Sequence, residues 1–288
     1  MSQATRSLRG LIKDAGTTLV PGVFECIGAK LAEKHGFDAI FLSGAGTSAS
    51  VLGLPDMGFL SMNEMVTHAH HVAAAVSVPV IVDADTGFGN AVSVARTVKE
   101  FEAAGIAGIQ IEDQVFPKRC GHFAGRDIID CDEMVQKVRA ACEARQDPDT
   151  VIIARSDALQ ITSYEDALKR GEAYAAAGAD VVFIQGARSR EQVEEIPRRM
   201  PVPTIFNWAS SGQPLSLEEA KSLGYAFLMF GGATTWVVGR ALDDFFARLS
   251  ASGNGEDVRD LMMGHEQFWD AMGSAHIREL EQRYATSN

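Results

Sequence analysis

Along this chain, short runs of β-branched and other apolar residues alternate with longer stretches whose apolar positions recur every three to four residues. The short runs predict strands at Thr18–Pro21, Ala39–Leu42, Val78–Asp83, Gly108–Glu112, Val151–Arg155, Val181–Ile184, Thr204–Phe206 and Phe227–Phe230. The longer stretches predict amphipathic helices at Ala29–His35, Met62–Val76, Val92–Ala104, Asp132–Glu143, Tyr164–Ala177, Glu191–Arg198, Leu217–Leu223 and Thr234–Leu249. Gly36, Gly105, Gly178 and Gly224 each follow a helical run, where a left-handed cap is wanted. A strand that returns through a helix runs parallel to its predecessor, so eight such alternations predict an α/β fold, a (β/α)8 TIM-type barrel. A doubly wound open sheet is the competing architecture. No G-x-G-x-x-G follows the first strand, and Gly87-Phe88-Gly89 lacks the rest of that fingerprint, which argues against a dinucleotide.

The pattern changes after residue 250. Residues 1–250 read as the barrel domain. Residues 251–288 begin with the turn-rich Ser252-Gly253-Asn254-Gly255 and carry two further helical patterns, around Val258–Met272 and Ser274–Tyr284. Met262, Met263, Phe268, Trp269 and Met272 are too apolar to face water. They either cover the barrel's own wall or meet a partner subunit.

Charge and composition narrow the function. Lys plus Arg number 26 against 38 Asp plus Glu, a net charge of −12, so the surface holds no general attraction for nucleic acid or anionic lipid. No apolar run approaches the ~20 residues of a membrane helix, and the first ten residues hold no stretch fit for a secretory signal. A cytoplasmic protein is expected. The four cysteines form no C-x-x-C pair, so reduced thiols are expected rather than a zinc cluster or a disulfide framework. Three read as small packing residues; Cys120 stands in other company.

In such a barrel the chemistry lies at the C-terminal ends of the strands. The third strand ends in Asp83-Ala84-Asp85, and the fourth in Glu112-Asp113. In extended backbone Asp83 and Asp85 point the same way, and carboxylates from adjacent strands suit Mg²⁺, which takes few protein oxygens and several waters. Gly87 and Gly89 would allow close backbone approach. A helix cap or a salt bridge is the bland reading of the pair. After the fourth strand, Lys118-Arg119-Cys120-Gly121-His122 places a thiol among basic groups that favour its thiolate; a surface cysteine with basic neighbours by chance is the alternative. Arg155, closing the fifth strand, suits a bidentate carboxylate clamp or a partner for a structural aspartate. Ser43-Gly44-Ala45-Gly46-Thr47 offers hydroxyls and backbone N–H groups to a carboxylate, or forms a tight turn.

These segments resemble the isocitrate lyase/phosphoenolpyruvate mutase superfamily. The resemblance rests on Ser43-Gly44, Leu54-Pro55-Asp56, Asp83 to Asn90, Ile111 to Gln114, Pro117 to His122 and Ala154-Arg155, and spans residues 16 to 250. The Lys118 to His122 segment is similar to the carbon–carbon lyase branch that holds 2-methylisocitrate lyase, dimethylmalate lyase and the petal-death-protein group. The resemblance implies cleavage of a 2-hydroxy di- or tricarboxylate by a retro-aldol or retro-Claisen route, with Mg²⁺ (or Mn²⁺) as cofactor. It also implies a homotetramer that exchanges its C-terminal helices. It assigns the metal to Asp85, with Asp83 and Glu112 nearby through water. Ser43, Gly44, Ala45, Asp56, Gly121, Arg155, Gln185 and Asn207 would hold the substrate. Cys120, on a closing loop with Lys118 and His122, would protonate the departing acid.

Four positions depart from that branch. Phe41 stands for a tyrosine and Gln185 for a glutamate; Trp208-Ala209-Ser210-Ser211 follows Asn207 in place of a Glu–Gly–Gly, and Gly231-Gly232 replaces a bulkier strand end. They point to a substrate other than 2-methylisocitrate. An oxaloacetate decarboxylase or 2-oxo acid hydrolase on the same metal platform is the second expectation. A barrel that binds carboxylates without turnover is the third.

Overall fold

The computed structural model describes residues 3–14, 16–121 and 125–285. Its strands are β1 (Thr18–Val23), β2 (Ile40–Leu42), β3 (Val80–Asp83), β4 (Gly108–Glu112), β5 (Val151–Ser156), β6 (Val181–Ile184), β7 (Ile205–Asn207) and β8 (Phe227–Phe230). All neighbours are parallel, in the order β6-β5-β4-β3-β2-β1-β8-β7. The free edges meet at Val182, whose N–H donates to the Pro203 carbonyl (3.0 Å) and which bridges Thr204. That contact closes the sheet into the (β/α)8 barrel the alternation predicts. Strands buried on both faces read as near-continuous apolar runs, which is why all eight lie within two residues of their predicted bounds.

The helices are α1 (Gln3–Lys13), α2 (Cys26–Lys34), α3 (Gly44–Thr47), α4 (Met62–Ala75), α5 (Ala91–Ala103), α6 (Cys131–Ala144), α7 (Tyr164–Ala176), α8 (Arg190–Arg199), α9 (Leu217–Leu223), α10 (Ala233–Ser252), α11 (His265–Ala271) and α12 (Ser274–Tyr284). Gly36, Gly105, Gly178 and Gly224 have φ of 79°, 88°, 111° and 90°, the left-handed turns expected of them.

Two apolar layers result. Inside the barrel, Val20, Phe41, Ile81, Ile153, Val181, Phe183, Ile205 and Phe227 fill the axis. Outside it, residues such as Val82, Val98, Phe101, Ile109 and Val138 pack strands against helices. Leu8 of α1, an element without a clear sequence signal, is wholly buried and joins the inner layer at its N-terminal end. A Cβ on Gly108 would lie 2.8 Å from its Cδ2, so a glycine there lets the helix plug the barrel.

The structure departs from the sequence pattern in the tail as well. The expected helix over Val258–Met272 is divided into a 3-10 segment, Gly255–Leu261, and α11, because Gly264 takes an extended ψ of 144° at the α11 N-cap. Met262, Met263 and Trp269 remain exposed, while Phe268 and Met272 are half-buried at α11, which contacts α2 of the barrel wall. The 20-residue α10 holds no buried residue. Among the described residues no helix is long and apolar enough to cross a membrane.

Candidate active site

The C-terminal ends of the strands enclose a cavity of about 280 Å³. Into it open Ser43, Ala45, Asp56, Asp83, Glu112, Lys118, Cys120, Gly121, Arg155, Gln185 and Asn207. The structure thus gathers residues spread over more than 150 positions of sequence. His122 lies outside the described residues.

β3 ends at Asp83, and Asp85 then takes a left-handed turn, with φ 48°. The expected convergence of the two carboxylates from extended backbone is corrected accordingly: the turn produces it. A Cβ on Gly44 would stand 3.1 Å from Asp83 Oδ2 and 3.2 Å from Asp85 Oδ1, so a side chain there would crowd both oxygens. Gly87 (φ 81°) and Gly89 (φ 147°) serve the same turn rather than the cavity, leading to Asn90, which caps α5 through Val92 and Ser93 N–H.

Lys118 enters this group from the β4–α6 loop. Its Nζ lies 2.6 Å from Asp56 Oδ1 and 2.8 Å from Asp85 Oδ1. Burial by itself would depress the ammonium's pKa, but Asp85, Asp56 and Asp83 hold it well above the usual lysine range. Its charge therefore reaches the Cys120 region already balanced by carboxylates, which the sequence reading of a basic nest around the thiol did not foresee. Burial raises Asp85 to about 7 despite the adjacent ammonium, and raises Glu112 well above its ordinary value despite Arg155.

Arg155 forks onto Asp157 (Nε–Oδ2 2.9 Å, Nη2–Oδ1 3.1 Å) and directs Nη1 to Glu112 Oε2 at 3.0 Å. The structural partner and the cavity position are both realised in this one side chain. Phe183 lies 5.6 Å beneath its guanidinium. Asp157 in turn receives Arg126 Nη1 at 2.6 Å, joining the far end of the thiol loop to β5. Asp113, next to Glu112, turns to the opposite face of β4 and accepts from Ser156, Tyr174 and Arg170.

Cys120 is held at the cavity by its N–H, which donates to the Asp56 carbonyl at 2.9 Å. Cys26, Cys131 and Cys142 pack against the outer core, and burial raises all three thiols. Ser43 caps α3 by accepting from Gly46 N–H (3.2 Å), so the turn reading holds there together with the cavity position. Ser210 Oγ donates to Gln185 Oε1 (2.9 Å), giving one departing residue the task of orienting another.

Sequence reasoning passed over Gln110, Phe183, Met229, Thr235 and Trp236. Gln110 carried a signal, an amide between two isoleucines inside a buried strand. It is 1% exposed and reaches Asp83 Oδ1 at 3.5 Å.

The donor set fits a divalent cation bound by few protein oxygens. Glu112 Oε1 is buried with no hydrogen bond, and Asp85 Oδ1 and Glu112 Oε2 are held only by their ion pairs to Lys118 and Arg155. Among the described residues no three His, Cys, Asp or Glu side chains form a metal cage, so Asp83, Asp85 and Glu112 do not close on one point. Such a site suits an ion that keeps water and substrate ligands.

The family model for phosphoenolpyruvate phosphomutase matches residues 8–249. The chain is 43% identical over 281 residues to 2,3-dimethylmalate lyase of Eubacterium barkeri, covering 97% of each. It is 38% identical over 268 residues to 2-methylisocitrate lyase of Aeropyrum pernix, covering 92% of this chain and 86% of that one. Among solved structures, a crystal form of 2,3-dimethylmalate lyase superposes with a TM-score of 0.92 at 35% identity, over 98% and 96% of the two chains. Oxaloacetate acetylhydrolase with 3,3-difluorooxalacetate gives 0.90 at 32%, over 97% and 96%. Phosphonopyruvate hydrolase with oxalate and Mg²⁺ gives 0.90 at 30%, over 98% and 99%.

Proposed function

Because the chain belongs to the phosphoenolpyruvate phosphomutase family and is a carbon–carbon lyase of the isocitrate lyase/phosphoenolpyruvate mutase superfamily, we propose that it cleaves a 2-hydroxy di- or tricarboxylate into a 2-oxo acid and a second carboxylic acid. One observation carries this reading. The thiol loop lies against the carboxylate cluster, with Lys118 on Asp56 and Asp85 and the Cys120 N–H on the Asp56 carbonyl.

Cleavage breaks the bond between carbon 2 and carbon 3. Carbon 2 becomes a carbonyl as its hydroxyl loses a proton, and the electron pair moves to carbon 3, beside a carboxylate. Phe41 brings no proton acceptor to that hydroxyl, so the acceptor comes from the carboxylates lining the cavity, Asp56, Asp83 or Glu112. Arg155, Gln185 and Asn207, with Ser43 and the Gly44–Ala45 backbone, orient the substrate's carboxylates. Cys120 gives its proton to carbon 3, and the loop from Lys118 to Gly121 keeps water from intercepting the carbanion. When bound, Mg²⁺ or Mn²⁺ at Asp85, with Asp83 and Glu112 beside it, supplies charge stabilisation to the oxygen of the nascent 2-oxo acid. His122, two residues after the thiol in sequence, completes the proposed catalytic set. The exposed face of α10 and residues 251–285 form the contact of a homotetramer with exchanged C-terminal helices.

The test is a screen of 2-hydroxy dicarboxylates with release of the 2-oxo acid followed. Cys120→Ser is expected to lower kcat by about 10²–10⁴-fold, and chelation to abolish turnover. Activity that survives both contradicts the assignment. The absence of a phenol at Phe41 favours a second reading, hydrolysis or decarboxylation of a 2-oxo acid such as oxaloacetate. Undiminished turnover by Cys120→Ala would select it.

A further inference from the structure

Gly231 and Gly232 follow β8 and form part of the cavity wall, yet nothing in the backbone requires glycine at either place. Gly232 has φ −109° and ψ −3°, and the φ of Gly231 also lies outside the left-handed region. A Cβ on Gly231 would come no closer than 3.6 Å to any atom, meeting Asn207 Nδ2 and Phe41 Cε1. One on Gly232 would come no closer than 3.4 Å, meeting Trp236 Cζ2. These are ordinary van der Waals distances, so alanine fits at both positions. Elsewhere in the same region glycine is obligatory. A Cβ on Gly22 would lie 2.2 Å from the Gly231 carbonyl oxygen, and one on Gly46 2.6 Å from Phe24 Cβ.

Two adjacent side chains are thus missing where the fold has room for them, and the space they leave belongs to the cavity. Phe41, Met229 and Trp236 line that side, with the Asn207 amide at its edge. Arg155 and Gln185, the groups suited to carboxylates, come from β5 and the end of β6. An apolar recess beside a polar one selects a ligand with both characters. Resting on the lyase reading above, we propose that the substrate is a 2-hydroxy dicarboxylate whose carbon 3 bears an alkyl group larger than methyl, seated over Gly231 and Gly232 between Phe41 and Trp236. Two stripped positions, rather than one, leave room for more than a single carbon.

The test uses 2-methyl-3-alkylmalates with methyl, ethyl, propyl and butyl groups at carbon 3, whose cleavage gives pyruvate and a straight-chain acid. For the wild-type enzyme kcat/KM is expected to rise by roughly fourfold per added methylene until the recess is full. Gly231→Ala, for which the backbone leaves room, is expected to cut the propyl-to-methyl ratio of kcat/KM at least tenfold, and Gly231→Val and Gly232→Val likewise where circular dichroism shows them folded. A flat or falling wild-type series, or an unchanged ratio in the folded variants, overturns the proposal. If none of the series is cleaved, the dicarboxylate reading fails but the recess is still decided by calorimetry with 2-alkylsuccinates, which lack the hydroxyl and cannot be cleaved this way. Affinity that rises with chain length and is lost in Gly231→Val supports the recess; affinity independent of chain length refutes it.

Discussion

Lys118 places its ammonium 2.8 Å from the Asp85 carboxylate, with side-chain exposures of 2% and 8%. The pair joins the thiol loop to the turn after β3, and Asp56 completes it from the other side. Replacing Lys118 by methionine leaves two carboxylates buried without their counter-charge. The expected loss of stability is about 3–5 kcal/mol at pH 8, with a smaller loss at pH 6, where Asp85 takes up a proton. Denaturant unfolding at the two pH values measures this; a loss below about 1 kcal/mol at pH 8 would mean the loop is held by other contacts.

Burial places Asp85 near pH 7, and the sign of the resulting pH effects follows from which form each process needs. A protonated carboxylate does not hold a cation. Apparent affinity for Mn²⁺ is therefore expected to fall toward tenfold per pH unit below about pH 7 and to level off above it. Metal-free stability runs the other way. The folded-state pKa exceeds the ordinary 3.8, so ionising Asp85 costs stability, and this contribution declines as pH rises from 3.8 to about 7. Calorimetric Mn²⁺ titrations on either side of pH 7 check the first effect. Affinity that stays constant across that range rules Asp85 out as the ligand.

Arg155 serves two carboxylates at once, Asp157 through a fork and Glu112 through Nη1. Arg155→Met is expected to cost about 3–5 kcal/mol by leaving Glu112 without its arginine and Asp157 with Arg126 alone. Arg155→Lys restores the charge without the planar fork, so it should recover part of the stability and little of the activity. Equal stability of the lysine variant and wild type, measured by chemical unfolding, would show that the fork geometry contributes nothing.

Val238, Leu242 and Phe246 lie at four-residue intervals along α10 and are 38%, 50% and 60% exposed. A stripe of this kind on a helix without a buried residue needs a covering surface. Phe246→Glu is expected to shift the protein to smaller species in analytical ultracentrifugation, with the barrel's circular dichroism retained. A sedimentation profile identical to wild type would remove this face from the proposed tetramer contact.

Much of the barrel was legible in the amino-acid order because its strands are buried on both faces. Val151-Ile152-Ile153-Ala154 and Val181-Val182-Phe183-Ile184 admit few other readings once helical periods flank them. Gly105 and Gly178 mark their turns because only glycine enters the left-handed region cheaply. α1 and the helical stretch from Gly44 to Leu52 carried no comparable signal. The first is decided by contacts with distant segments, Leu8 over Gly108 and Arg9 on Asp180, and the second by packing of Gly46 against Phe24.

The site divides along the same line. By itself the sequence determined which residue types stand at the strand ends, since position after an apolar run is a local property. The candidates Asp83, Asp85, Glu112 and Arg155 were identifiable in that way, and Cys120 by its basic neighbours in the loop after β4. Only the tertiary structure decided their pairings: Lys118 with Asp56 and Asp85, Arg155 with Asp157 and Glu112, Ser210 with Gln185, and the open space over Gly231 and Gly232. Charge pairing and cavity shape depend on distances between segments far apart along the chain, and barrel closure sets those distances through packing.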